Sequence, residues 1–113
     1  MKAEAGKPSK TPAASRGPWQ LYWVAYNTAL ESDVLSLLTA LGIKAYTRWD
    51  EVKRSGHSGP HLNDDVWPAV NSLYMFAGPA AWERRLSERV AQLRRQFPGE
   101  GIKLIVQSCK RVY

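Results

Sequence analysis

Residues 19–42 read WQLYWVAYNTALESDVLSLLTALG, a stretch that contains the first strand and the first helix predicted from this sequence. The run Trp19–Tyr26 has the length and the aromatic content of a strand that is buried on both faces or lies at a subunit contact. In the segment Glu31–Leu41 the apolar residues recur on one helical face. The chain therefore begins its folded part with a strand followed by an amphipathic helix.

The two ends of this helix carry recognisable capping signals. Thr28 or Ser32 is expected to cap its start, because a side-chain oxygen there can accept from an unpaired backbone N–H. Glu31 and Asp33 complement the helix dipole in the first turn. Gly42 fits the position after the last turn, where the backbone turns left-handed.

Four further elements follow from the same kind of pattern. Apolar and polar residues alternate in Ile43–Trp49, which predicts a second strand. The third strand is predicted at Asn71–Ala77, ended by Gly78 and Pro79, and the last strand at Ile102–Gln107. Between them, a helix is predicted from about Pro79 to Phe97, with an apolar stripe at spacings of four, four, three and four: Trp82, Leu86, Val90, Leu93 and Phe97.

The predicted order of elements is β-α-β-β-α-β, which is typical of an α+β ferredoxin-like sandwich. In this fold two helices cover one face of a four-stranded antiparallel sheet. Tyr22, Tyr46 and Tyr74 are expected on the other sheet face, which is then too apolar to be left in water. The sequence therefore predicts that this face packs against partner subunits.

Composition indicates one domain with an N-terminal extension. The chain has 113 residues and a formal net charge of +6. Residues 1–18 form a basic tail that is expected to be disordered, and residues 19–113 form the domain. A single cysteine, Cys109, and the lack of a long apolar run predict a cytoplasmic protein without a membrane-spanning segment. Half of the net charge lies in the tail, so a dedicated nucleic-acid-binding face is not expected.

The 18 residues Lys53–Val70 form an unusually long connection for a compact domain. This segment contains both histidines of the chain, and His57 and His61 could bind a divalent metal together with Asp64 or Asp65. The glycines and Pro60 exclude the helical zinc-binding pattern. The alternative is a mobile surface loop whose polar residues have no ligand.

A second candidate site is the glycine-rich turn that leads into the last strand. Backbone N–H groups of Gly99, Glu100 and Gly101, followed by Lys103, could hold a phosphate or another anion. Arg94 and Arg95 precede the turn and could contribute. The alternative is a plain helix-to-strand turn whose glycines serve the helix cap. The sequence contains no catalytic constellation, so the chain is not expected to be an enzyme.

Several segments resemble the PII-like signalling proteins, and most closely the branch associated with heavy-metal efflux systems. The resemblance covers about residues 20–108 and rests on these segments: Leu41–Trp49, Gly56–Leu62, Val66–Pro68, Asn71–Ser72 and Phe97–Lys103.

This resemblance implies a homotrimer with ligand clefts between subunits. It identifies residues 53–70 as the T-loop, the segment through which the family contacts its partners, and residues 99–103 as the phosphate-binding B-loop. Here Ile102 precedes Lys103, whereas the family has lysine before isoleucine. The glutamine and tyrosine features of nitrogen-regulating T-loops are absent, so nitrogen sensing is not implied. The implied partner-contact residues are Lys53, Arg54, Gly56, Gly59, Pro60, Leu62 and Trp67.

The leading functional hypothesis is a non-enzymatic regulatory protein that binds an adenine nucleotide or a divalent metal. It would control a partner, for which the resemblance suggests a metal-efflux transporter in the membrane, through its long loop. One alternative is an RNA-binding domain of the RRM type, which shares this topology and carries sheet aromatics. Another is a CutA-like metal-tolerance protein, although that family has a shorter connection between the middle strands.

Overall fold

The computed structural model describes residues 17–51 and 70–112. Within these ranges the chain forms four strands and two helices in the order β1, α1, β2, β3, α2, β4, with a short 3-10 turn ahead of α1. This is the predicted β-α-β-β-α-β order, so the α+β fold class is confirmed. The bounds are Trp19–Tyr26 (β1), Thr28–Leu30 (3-10 turn), Glu31–Ala40 (α1), Thr47–Trp49 (β2), Ser72–Pro79 (β3), Trp82–Gln96 (α2) and Ile102–Cys109 (β4).

The strands form one sheet in the order β2-β3-β1-β4, and each neighbouring pair is antiparallel. The aromatic strand β1 lies in the middle and pairs along its whole length with both β3 and β4. Its position explains part of its composition, because the helices bury Tyr22, Val24 and Tyr26 on one face of this central strand.

Both helices pack on the same face of the sheet, where the core lies. Successive residues of a strand point to opposite faces, so Tyr22, Val24 and Tyr26 of β1 share the covered face. Residues of all three long strands and of both helices meet there. The buried core consists of Tyr22, Val24, Tyr26, Leu30, Val34, Leu37, Leu38, Ile43, Tyr74, Phe76, Leu86, Val90, Leu93 and Ile102.

The predicted position of the tyrosines on the open sheet face is wrong. Tyr22 and Tyr74 are fully buried beneath the helices, and Tyr46 packs edge-on against Tyr74. Their burial is tolerated because each buried phenol has an acceptor: the hydroxyl of Tyr22 donates to the carbonyl of Pro79 at 2.6 Å, and that of Tyr74 donates to Glu31 at 2.8 Å.

The open face of the sheet is nevertheless apolar, with a different set of side chains. By strand alternation, the residues between the core positions point away from the helices. Several large apolar side chains there are only partly covered by this chain: Leu21, Trp23, Leu73, Met75 and Ile105. Trp49 of the edge strand β2 lies on the same face and is 41% exposed.

Helix α1 ends in a hydrogen-bonded turn that shortens β2. Gly42 has a φ of 76°, its N–H donates to Thr39, and the N–H of Ile43 donates to Leu38. These two bonds form a Schellman motif, in which the residue after the glycine packs back on the helix. Ile43 is accordingly buried in the core rather than placed in β2, which begins only at Thr47.

Other details of the elements also differ from the prediction. β3 continues through Pro79, which lies at the strand end, where a missing N–H is tolerated, so α2 begins later at Trp82. Neither Thr28 nor Ser32 caps α1, whose N-cap residue Leu30 makes no side-chain capping bond; the side-chain cap lies one turn earlier, where Oδ1 of Asn27 accepts from the N–H of Ala29 at the start of the 3-10 turn. Cys109 is the last residue of β4 and does not lie beyond it.

Candidate functional site at the β1–α1 junction

The glycine-rich turn before β4 is attached to the end of β1. The N–H of Glu100 donates to the carbonyl of Phe97, which closes the turn. The backbone N–H of Asn27 donates to the carbonyl of Gly101 at 2.8 Å. The predicted anion-binding turn is therefore in direct hydrogen-bond contact with the connection between β1 and α1.

The cations predicted to accompany this turn lie in different layers of the molecule. Arg94 and Arg95 are exposed on the last turn of α2, in the helical layer. Ile102 points into the core, so Lys103 next to it lies on the open face of the sheet and is half-buried there. A single chain therefore does not bring Lys103 together with the two arginines.

A cluster around Glu31 lies at the same end of the sheet. Oε2 of Glu31 accepts from the hydroxyl of Tyr74 at 2.8 Å and pairs with Nη1 of Arg48 at 3.1 Å. The hydroxyl of Tyr26 donates to Oε1. Arg48 also pairs with Asp50, with 2.9 Å between Nε and Oδ1. One carboxylate thus joins β1, α1, β2 and β3.

The phenols of this cluster are held in their neutral form. Burial, and then the hydrogen bond to Glu31, raise the pKa of Tyr74 to about 12 and move the pKa of Tyr26 strongly upwards. In the middle of β1, burial also raises the pKa of Tyr22 to about 12. A phenolate in any of these positions would lose its water and, at Glu31, would face a carboxylate.

The raised pKa of Tyr74 predicts a loss of stability in alkali. The folded-state pKa of about 12 lies above the ordinary value of 10.0. The contribution of this neutral phenol to the free energy of unfolding is therefore fully present below pH 10 and is lost as the pH rises towards 12. The measurement is phenolate absorbance and circular dichroism of the wild type and of Tyr74→Phe, whose difference isolates this phenol. A difference titration centred at pH 10 in a folded protein would contradict the assignment.

The flanks of the long connection both attach to this junction. On the side that precedes it, Arg48 is held by Glu31. On the side that follows it, Oδ1 of Asn71 accepts from the N–H and the hydroxyl of Thr28 at 2.8 and 2.9 Å, and the N–H of Asn71 donates to the carbonyl of Tyr26. The hydroxyls of Thr28 and Ser72 lie 2.9 Å apart.

Sequence reasoning missed this cluster, although each of its residues was visible. Glu31 was expected only to complement the helix dipole. The contacts join residues far apart in the chain, since Glu31 and Tyr74 are 43 positions from each other. The one available signal was the presence of tyrosines on strands next to an acidic helix start, because a buried phenol needs an acceptor. The carboxylate of Glu31 is fully engaged by donors. We refer to Tyr26, Glu31, Arg48 and Tyr74 together as the clamp.

The residues predicted to bind metal or a partner in the long segment lie outside the described residues: His57, His61, Asp64, Asp65, Lys53, Arg54, Gly56, Gly59, Pro60, Leu62 and Trp67. Across 17–51 and 70–112, no three His, Cys, Asp or Glu side chains are grouped so that they could hold a metal ion. Neither helix in these ranges is long and apolar enough to cross a membrane.

Comparison with known proteins gives a match at the level of structure. No protein-family model matches the sequence, and no curated protein matches it. A solved PII-like signalling protein from Thermus thermophilus superposes with a TM-score of 0.57 at 17% identity, over 82% of this chain and 88% of that one.

A second solved structure is CPII, a nitrogen regulatory PII-like protein from Thiomonas intermedia, bound to ADP, AMP and bicarbonate. It superposes with a TM-score of 0.57 at 16% identity, over 85% of this chain and 94% of that one. Both neighbours are matched over most of their length. The chain therefore has the fold of the PII-like signalling proteins.

Proposed function

We propose that this chain is a non-enzymatic PII-like regulatory protein that binds a small effector at the turn before β4 and controls a partner through residues 53–70. One observation carries the proposal: the junction between β1 and α1 contacts both the turn, through Asn27 and Gly101, and the two flanks of the long segment, through Glu31 and Thr28. A ligand that shifts the turn would therefore bias the positions from which the long segment begins and ends.

An adenine nucleotide is the effector that we favour. The N–H of Glu100 is engaged by the carbonyl of Phe97, so the groups that we propose for a phosphate are the backbone N–H groups of the two glycines, Gly99 and Gly101. The structural neighbour from Thiomonas intermedia was solved with ADP and AMP. A divalent metal held by His57 and His61 is the second effector to test. The partner we envisage is a protein of the cytoplasm or the cytoplasmic side of a transporter.

We further propose that the functional unit is a homotrimer. The open sheet face presents Leu21, Trp23, Met75 and other apolar side chains, and a patch of this kind is rarely left in water. Lys103 lies on that face. If another subunit packs there, Lys103 would lie at a cleft between subunits, where it could converge with Arg94 and Arg95, from which a single chain keeps it apart.

Calorimetric titration of the purified chain with ATP, ADP, AMP and divalent metal ions tests the effector. We expect saturable heat with an adenine nucleotide, lost in Lys103→Gln, and retained in the matched control Lys110→Gln, which removes the same charge just beyond β4. Equal loss in both variants would point to unspecific attraction. No heat with any compound would remove the support for an effector. Light scattering tests the trimer, which requires three times the chain mass of 12.7 kDa.

The RNA-binding alternative makes opposite predictions for the same surface. Trp23 and Trp49 lie on the open face and could stack on bases in a monomer. A monomeric mass, together with salt-sensitive binding of single-stranded RNA, would favour that function over the regulatory one.

A further inference from the structure

The positive charge of the described residues is concentrated on α2. This helix carries five arginines and two glutamates, a balance of +3. Elsewhere in ranges 17–51 and 70–112, five basic side chains are matched by five acidic ones, so the remainder is neutral. The basic residues outside the helix are Lys44, Arg48, Lys103, Lys110 and Arg111, and the acidic ones are Glu31, Asp33, Asp50, Glu51 and Glu100.

Some of the arginines on α2 have a clear structural role. Arg84 pairs with Glu88 one turn further on, with 3.4 Å between Nε and Oε2. Arg94 and Arg95 lie in the last turn, where positive charge complements the helix dipole.

Arg85 and Arg89 have no such explanation. Both are exposed, and neither forms an ion pair with another residue of the described ranges. Arg85 is the fourth residue of the helix, where the dipole disfavours a cation. The two are four residues apart, so like charges lie one above the other on the helix surface. Both effects oppose helix stability, which points to a role outside folding.

Gln92 and Gln96 continue the same flank of the helix. The four residues follow one another at spacings of four, three and four, and all are exposed. With Arg85 and Arg89 they form a stripe about 16 Å long that carries hydrogen-bond donors and no carboxylate. We refer to Arg85, Arg89, Gln92 and Gln96 as the α2 stripe.

The chemistry of the stripe favours an acidic protein as its partner over a membrane or a single-stranded nucleic acid. A membrane-binding helix needs large apolar residues on the exposed side, whereas the apolar residues of α2 pack against the core. Binding of single-stranded nucleic acid relies on exposed aromatic rings, and the only aromatic residue of α2, Trp82, packs against Tyr22 and Phe76.

We propose that the α2 stripe docks an acidic helix of a partner protein, with carboxylates four residues apart facing Arg85 and Arg89. Residues four apart on any α-helix are separated by the same rise of about 6 Å, so the two charge patterns match in register. The guanidinium fork binds a carboxylate through two parallel hydrogen bonds. Gln92 and Gln96 add donors and acceptors for the polar side chains that follow. This docking surface rests on the proposed regulation of a partner, but not on an effector at the turn.

The test uses the full chain and a labelled helical peptide of about fifteen residues with glutamates four apart. We expect saturable binding in fluorescence anisotropy that weakens with salt, and an affinity about tenfold lower for Arg85→Gln/Arg89→Gln. The matched control Lys44→Gln/Lys110→Gln removes the same charge elsewhere and should change the affinity less than about twofold.

Three results would overturn the proposal: absence of peptide binding at low salt, an equal loss in the control, or tighter binding of an oligonucleotide of the same charge through the same arginines. Nucleotide calorimetry on Arg85→Gln/Arg89→Gln separates this proposal from the proposed function. Unchanged nucleotide binding with lost peptide binding supports a separate docking surface. Peptide binding in a chain that binds no nucleotide would support the α2 stripe as a docking surface and contradict the adenine nucleotide as effector.

Discussion

Replacing Gly78 with alanine is expected to lower the free energy of unfolding by about 3 kcal/mol, because the added methyl group overfills the core. A Cβ at this position would lie 2.0 to 2.5 Å from three ring carbons of Trp82. The ring has little room to move, since its centroid is 6.1 Å from those of both Tyr22 and Phe76. Gly78 also lies within β3, so the backbone is held by pairing with β1.

Urea unfolding measures this effect, and the chain offers a matched control. Gly99→Ala makes the same substitution where no atom lies within 4 Å of the added Cβ, and its effect should stay within about 1 kcal/mol. Combining Gly78→Ala with Trp82→Leu should recover part of the loss, because the smaller side chain leaves space for the methyl group. If Gly78→Ala proved no worse than Gly99→Ala, the close packing of Trp82 on β3 would be refuted.

Removing the carboxylate of Glu31 is expected to destabilise the fold by about 2 kcal/mol, since buried phenols lose their acceptor. Tyr26 and Tyr74 are fully buried, and their hydroxyls both donate to Glu31. Glu31→Ala removes the carboxylate acceptor of both donors and breaks the ion pair between Glu31 and Arg48, which keeps its pairing with Asp50.

Asp33→Ala is the control for Glu31→Ala, because both residues are acidic and lie in the first turn of α1. It removes the same favourable interaction with the helix dipole and should cost about 0.5 kcal/mol. Changing Tyr26 and Tyr74 to phenylalanine in the Glu31→Ala background should recover stability, since the unpaired hydroxyls are then gone. If Asp33→Ala lowered the free energy of unfolding as much, or if the two phenylalanine substitutions recovered none of it, the effect of Glu31→Ala would be assigned to the helix dipole alone.

The fold could be predicted because its main signals are local. Alternation along Ile102–Gln107 and the apolar stripe of α2 both reflect burial on one face, and the structure confirms these elements. Gly42 was identified correctly as a cap, because few residues adopt a positive φ without strain. The motif resemblance to PII-like proteins agrees with the fold found by structural comparison.

The errors arose where a distant contact overrides the local pattern. Ile43 fits the alternation of a strand, yet it packs on Leu38 after the Schellman turn. Tyr22 and Tyr74 were assigned to the open sheet face, whereas acceptors on distant residues, the carbonyl of Pro79 and the carboxylate of Glu31, allow both phenols to be buried beneath the helices. A pattern within a few neighbouring residues does not show that Glu31 pairs with Arg48 and Tyr74. The clamp could therefore not be derived from such local patterns.

The anchoring of both flanks of the long connection at one junction has a consequence for how this protein can diversify. The strands on either side pair directly, with Trp49 opposite Leu73, so β2 and β3 are joined by pairing of described residues on both sides of 52–69. Closing a connection costs only about 0.6 kcal/mol more for each doubling of its length. Changes in the length or sequence of this stretch should therefore lower the free energy of unfolding little, whereas changes at Glu31, Thr28 or Asn71 should lower it more. The contacts that hold β1, α1, β2 and β3 together can therefore be kept while this one segment is exchanged.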